Sequence, residues 1–238
     1  MDTVNVSGRR GVSAKRSRVA TKNKPGRPEG SSNVRDEILD AAELLFADLG
    51  YAGTTLREIA DAAQVTQALI NYYFGSKYGL FEEVFLRRGR KISDERLSRL
   101  AELKRAGSLQ VSAIVHAFLT PTLALRSTKA GRAFIRLQAR LHTEPPEISY
   151  KLRNEAYDVS TKAYVEAFRV ALPYITECEA YWRVTLMVGA YMYAFSDTHR
   201  LEQLAGNVCH PDDSQEVLEQ MVAFVTAGME APSRQKVY

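Results

Sequence analysis

Apolar residues recur along this chain every three to four positions and almost nowhere at every second one. From Asn33 onward, Ile38, Ala42, Leu45, Phe46 and Leu49 fall on one helical face, a first element of about four turns that Gly50 is placed to end with a left-handed cap. Thr55-Leu56-Arg57-Glu58 has the form of a capping box, threonine at the N-cap and glutamate three residues on, and Ile59, Ala60 and Ala63 follow it. After the small turn Ala63-Gln64-Val65, Thr66 is placed to cap a third short helix running to about Phe74, which Gly75 ends, and Ser76 is placed to cap a fourth. Helices this short cannot each bury a face alone, so they must pack on one another.

Beyond Phe81 the pattern predicts long helices punctuated at Gly107-Ser108, Ser127-Thr128, Thr143 to Pro146, Pro173, and Gly206 to Pro211. A second capping box, Thr176-Glu177-Cys178-Glu179, opens a helix expected to run about thirty residues, to about Ala205. Val217, Leu218, Met221, Val222 and Val225 form an apolar stripe on the last helix. The expected fold is all-α. Residues 1–31 hold Gly, Ser, Pro, Lys and Arg with almost no large apolar side chain and read as a disordered basic arm. A three-helix unit is then expected over 32–80, a larger helical body over 81–230 and a short tail over 231–238.

Composition sharpens this division. The 238 residues are 45% hydrophobic and 25% charged, which suits a globular chain. The formal charge of +4 is unevenly spread, because residues 1–35 carry nine Lys or Arg against Asp2 and Glu29. That leaves +7 on the head and −3 on the remainder, so a polyanionic partner is expected for the head alone. Cys178 and Cys209 form no CxxC pair or disulfide framework, which fits a reducing cytoplasm. The most apolar window, Val184 to Phe195, is too short to span a membrane, so none is expected as a partner. Arg9-Arg10 is followed by further basic residues rather than the apolar run of a twin-arginine signal, and a transit peptide is the weaker reading of the same segment.

Two short helices joined by a tight turn, directly after a basic arm, are what a helix-turn-helix reader of DNA requires. The outward residues of its second helix suit the task. Gln67 and Asn71 can bond adenine in the major groove, Thr66, Tyr72 and Tyr73 offer hydroxyls to phosphates, and Leu69 or Ile70 must face the small core or a thymine methyl. Lys77, one residue past Ser76, can share a phosphate with the amides that open the fourth helix. Lys24-Pro25-Gly26-Arg27-Pro28 would let an extended arm place Arg27 in a minor groove.

The residues Thr54 to Ala60, Ala63-Gln64-Val65-Thr66, Tyr72 to Lys77 and Leu80-Phe81 resemble the TetR family of bacterial regulators over positions 34–85. The resemblance implies that the N-terminal helices bind double-stranded operator DNA, while the helical body binds a small molecule and dimerises through its last two helices. By position it places Arg57, Thr66, Gln67, Ala68, Asn71, Tyr72, Tyr73 and Lys77 at the DNA. Gln64 stands where the family usually has a turn glycine, and Asn71 where an aromatic residue is common.

In the body, Phe118, Phe134, Tyr157, Tyr164, Phe168, Trp182, Tyr191 and Phe195 are spread over several helices and could wall an apolar cavity, with Arg136, Arg140 and His142 adding polar groups. Phe118, Phe134, Arg140, Phe168 and Tyr191 are the candidate effector contacts. Gly189, Ala190 and Ala194 form a strip of small residues that, with Met187 and the stripe Val217 to Val225, suits helix contact across a two-fold axis. His116, His142, His199 and His210 have no metal-ligand spacing and no Gly-rich phosphate loop is present, so no catalytic residue, metal or cofactor is expected. The expected function is a homodimeric repressor released from a near-palindromic operator by a small apolar or acyl-type effector. The rival readings are an architectural DNA-binding protein without a ligand, and an enzyme in the helical body.

Overall fold

The computed structural model describes Met1 and residues 30–196 and 199–233. The arm expected over 1–31 therefore lies almost wholly outside the described residues, as does most of the tail from 231 on. The described chain is helical, with no strand among its described residues. Ten α-helices follow in order: α1 (Gly30–Gly53), α2 (Leu56–Ala62), α3 (Gln67–Phe74), α4 (Lys77–Arg105), α5 (Val111–Ala124), α6 (Lys129–Leu141), α7 (Pro146–Ala171), α8 (Glu177–Phe195), α9 (Arg200–Ala205) and α10 (Ser214–Met229). Single 3-10 turns follow α5 and α9.

Local chemistry starts most of these helices. Thr55, Thr66, Ser76, Thr128, Thr176 and Asp213 each accept a bond from a first-turn amide, and both capping boxes close reciprocally. Gly50 breaks α1 at φ 77°, where the sequence places a left-handed residue. The Thr54 hydroxyl locks the break by donating to the Gly50 carbonyl at 2.8 Å and the Leu45 carbonyl at 3.2 Å. One expectation fails: the helix opened by Thr176 ends at Phe195 rather than near Ala205. The polar Ser196 follows, and its hydroxyl donates to the Tyr193 carbonyl at 3.2 Å, competing with the helix for a backbone acceptor. His199 then takes a positive φ and starts α9.

Two cores share the interior. The first joins Ile38, Leu39, Ala42 and Phe46 of α1 to Ile59, Ile70, Phe74, Leu80 and Phe81, and runs on to Ala133, Phe134 and Leu137 of α6 and Leu152 of α7. The second joins the far end of α4 to α5, α7, α8 and α10 through Leu100, Phe118, Phe168, Val184, Met221 and Val225. The three-helix unit is thus not separated from the body by a gap in packing. Helix α4 enters both cores, and α1 is clamped from two sides. Buried Glu43 accepts from Arg87 at 3.1 Å and from Arg88 at 2.7 and 2.9 Å, while Asp48 accepts from Arg136 through its carboxylate at 3.0 Å and from Arg140 through its carbonyl at 2.9 Å.

Candidate nucleic-acid interface and effector cavity

Helix α3 is held by Ile70, fully buried, and by Phe74, which lies against the Arg35 guanidinium. These anchors on one face turn the other outward. Gln67, Ala68, Asn71 and Tyr72 are exposed, Tyr72 to 81%, and among the described residues no side chain pairs with Gln67 or Asn71. Thr66 is exposed at the start of the helix, where its hydroxyl accepts from the Leu69 amide at 3.3 Å. Tyr73 is half-buried between the rings of Tyr72 and Phe74. Arg57 lies exposed on α2, 4.0 Å from the equally open Asp61. The turn ahead of α3 forces Gln64 to φ 54°, and the Val65 amide closes it by donating to the Ala60 carbonyl at 2.9 Å.

Lys77 opens α4 half-buried, its Nζ 4.5 Å above the Tyr51 ring. Burial lowers its pKa, opposed by the charges of Glu144 and Glu58. Ser76 takes the Gly79 amide, and among the described residues the amides of Lys77 and Tyr78 meet no acceptor. Lys77 and these two amides are the groups the sequence assigns to one phosphate. Gly79 is required here, because a Cβ at this position would fall on the Phe74 carbonyl oxygen.

A cavity of about 430 Å³ lies between α4, α5, α6, α7 and α8. Phe118 and Tyr191 line it, as the sequence suggests, with Phe85, Leu141, Val184, Val188 and Met192. The other three candidates do not. Phe134 packs in the first core, its ring 5.6 Å from that of Phe85, and Phe168 is buried in the second. Arg140 reaches away to the Asp48 carbonyl on α1. Aromatic character gave burial but not which interior receives the ring. Of the further aromatic residues, Tyr157 lines the cavity, Tyr164 and Phe195 fill the second core, and Trp182 lies on the outer face of α8, 63% exposed.

Arg96, Gln138 and Tyr191 are the most deeply buried polar residues of the lining. Arg96 is 1% exposed and stacks with its Cζ 3.6 Å from the centre of the Phe118 ring. It donates to the Phe118 carbonyl at 2.9 Å, the Thr122 hydroxyl at 3.1 Å and the Tyr191 hydroxyl at 3.3 Å. Gln138 is equally buried and approaches the Tyr157 hydroxyl at marginal hydrogen-bond geometry, and neither group has another partner among the described residues. Burial pushes the Tyr157 hydroxyl far above the ordinary tyrosine range, so it remains protonated. His142 contacts the same space at the end of α6. Two residues on, the Glu144 carboxylate accepts from the Tyr51 amide at 3.1 Å, just past the break in α1.

Two family models match the chain: bacterial regulatory proteins, tetR family, over residues 38–84, and the tetracyclin repressor-like C-terminal domain over residues 116–228. The chain belongs to the TetR family of bacterial transcriptional regulators. It is similar to the transcriptional repressor KstR2 of Rhodococcus jostii, 34% identical over 91 residues, which are 38% of this chain and 42% of that one. The biofilm operon regulator IcaR of Staphylococcus aureus is 40% identical over 50 residues, 21% of this chain and 27% of its own. The chain thus spans less than half the length of these TetR-family relatives. Among solved structures, the hemolysin II regulator HlyIIR superposes with a TM-score of 0.58 at 18% identity, covering 82% of this chain and 98% of its own. The fatty acid degradation regulator FadR of Bacillus halodurans does so with 0.58 at 17%, covering 86% and 98%. At such identities the likeness is one of fold.

Two groups of this TetR-family chain escape a reading of the sequence. Arg96 had a signal, since it stands on the buried stripe of α4 with Ile92, Ser93 and Leu100, where a charge is out of place. Glu144 had none, because its link to Tyr51 joins residues 93 positions apart.

Proposed function

We propose that this TetR-family chain is a homodimeric DNA-binding repressor whose operator affinity is set by a small apolar or acyl-type effector. The observation that carries the DNA-binding reading is the outer face of α3, where Gln67, Ala68, Asn71 and Tyr72 stand exposed while Ile70 and Phe74 fasten the helix behind them. Gln67 and Asn71 have the donor and acceptor pair that adenine offers in the major groove, and Ala68 suits a thymine methyl. Thr66, Tyr72, Tyr73 and Lys77, with Arg57 on α2, are assigned to the phosphates on either side. Repression follows the named relatives, KstR2 being a repressor and IcaR a negative regulator.

Two copies are needed to read a palindrome, and the outer faces of α8 and α10 support pairing. Trp182, Leu186, Gly189 and Tyr193 form an exposed stripe on α8, and Gln220, Phe224 and Gly228 one on α10. Gly189 and Gly228 have open space where a Cβ would stand, so a second helix can approach closely. The stripe Val217 to Val225 expected at this contact instead packs inward, with Met221 and Val225 buried in the second core.

Gating uses the shared packing. Helix α6 lines the cavity on one side and clamps α1 on the other, so a ligand that shifts α6 changes where α1 and α3 stand. The division at residue 80 is one of task, reader before and sensor after. Selection of bound DNA from a random pool is expected to return a two-fold symmetric motif with half-sites about one turn, ~34 Å, apart. Salt-sensitive binding with no enriched sequence would overturn the reading in favour of an architectural protein.

A further inference from the structure

The guanidinium of Arg96 presents an electrostatic problem that the protein does not solve by itself. It is 1% exposed, its hydrogen-bond partners are a carbonyl and two hydroxyls, and among the described residues no carboxylate lies within ion-pair distance. Its Nη1 makes no hydrogen bond to any described residue. A charge taken out of water without a counter-charge is held at considerable cost, which an anion brought beside it relieves. The residue lines the 430 Å³ cavity, and so do the Gln138 amide and the Tyr157 hydroxyl, which face each other at marginal geometry and have no other partner among the described residues.

The other charges around the cavity point the same way. Arg153 lines it, and the one carboxylate among the described lining residues, Asp158, is paired with Lys162 at 3.5 Å. The apolar part of the lining includes Phe85, Leu141, Val184, Val188 and Met192, beside the polar His142, Asn154, Thr161 and Thr185. From this arrangement we infer that the cavity takes an amphipathic monocarboxylate, its carboxylate against Arg96, Gln138 and Tyr157 and its fatty or aryl body against the apolar wall. The inference rests on the reading of this cavity as the effector site. An ionised head accepts more strongly from these donors than a neutral carbonyl does, and only the ion neutralises Arg96. A volume of this size accommodates a small molecule.

The test compares decanoate and 2-naphthoate with their neutral matches, decanamide and 2-naphthamide, by titration calorimetry on the full chain. At least one carboxylate is expected to bind roughly tenfold to a hundredfold more tightly than its amide. The arm that binds decides between a fatty and an aryl body. In Arg96→Met the carboxylate and amide affinities are expected to converge, and Tyr157→Phe, which keeps ring and volume, is expected to weaken the carboxylate several-fold. Amides that bind the natural protein as well as carboxylates do, or no carboxylate binding at millimolar concentration, would overturn the inference without recourse to any variant. So would a folded Arg96→Met with undiminished carboxylate affinity. Operator release is recorded separately. A carboxylate that binds without loosening the operator supports the anion site and overturns the gating reading, whereas release by a neutral compound alone overturns the anion site and leaves gating intact.

Discussion

Gln64 stands at φ 54° in the turn between α2 and α3, a left-handed conformation that costs a residue with a Cβ about 1–2 kcal/mol. Gln64→Gly is therefore expected to stabilise the fold by about 1 kcal/mol, read as a higher denaturant midpoint with unchanged slope. On the reading face the two classes of contact separate by their response to sequence. Asn71→Ala should cost about 1–3 kcal/mol on the preferred operator and little on random DNA. Lys77→Ala should weaken both alike and flatten the salt dependence by about one unit, and equal losses for Asn71→Ala would refute its base-reading role. His142 adds a pH dependence. Burial, then the Arg153 charge, lower its pKa below the ordinary value of 6.5, so the unfolded chain takes up this proton before the folded one. Stability should thus fall as pH drops through about 6.5, and His142→Gln should remove that part of the slope in denaturation measured from pH 7 to pH 5. At this scale the caps and the exposed polar face were legible, because a cap depends on neighbours three residues away. The roles of Phe134, Phe168 and Arg140 were not, because each depends on which distant helix it meets.

Helices α3 and α4 meet so tightly that only glycine fits at position 79, its missing Cβ leaving room for the Phe74 carbonyl. Gly79→Ala must push α3 away from the start of α4, at an expected cost of about 1–3 kcal/mol in stability. Because the shift separates Lys77 from the face of α3, operator affinity should drop by more than the stability change alone explains. Unchanged operator affinity in a folded variant would show that this crossing does not set the reading geometry. The order of elements was legible from periodicity and caps, and the starts or stops at Thr55, Thr66, Gly75, Ser76, Thr128, Pro145, Thr176 and Asp213 lie at residue types that a local rule identifies. The end of α8 was not, since the helix stops at Phe195 while the apolar pattern beyond, Leu201 and Leu204, keeps a helical spacing. The clamp on α1 was equally hidden. Glu43 is separated from Arg87 and Arg88 by more than forty positions and reads in sequence as an ordinary surface charge.

Across the whole molecule, the proposed pairing of two copies falls on the exposed stripes of α8 and α10. Leu186→Arg, placing a charge at the middle of the α8 stripe, is expected to yield a monomer in sedimentation and to lower operator affinity by at least tenfold, since one reader then binds without the other. A variant that remained dimeric would move the interface elsewhere. The sequence by itself determined the helical class, the caps, the polar outer face of α3 and the concentration of positive charge in the first 35 residues, because each is a matter of periodicity, neighbouring residues or composition. The tertiary structure decided that reader and body share a core, that Val217 to Val225 turns inward while Trp182 faces out, and that Arg96 lies in a cavity without a counter-charge. These are outcomes of long-range packing. A helix pattern states that a face is buried, and only the meeting of distant helices determines what it is buried against.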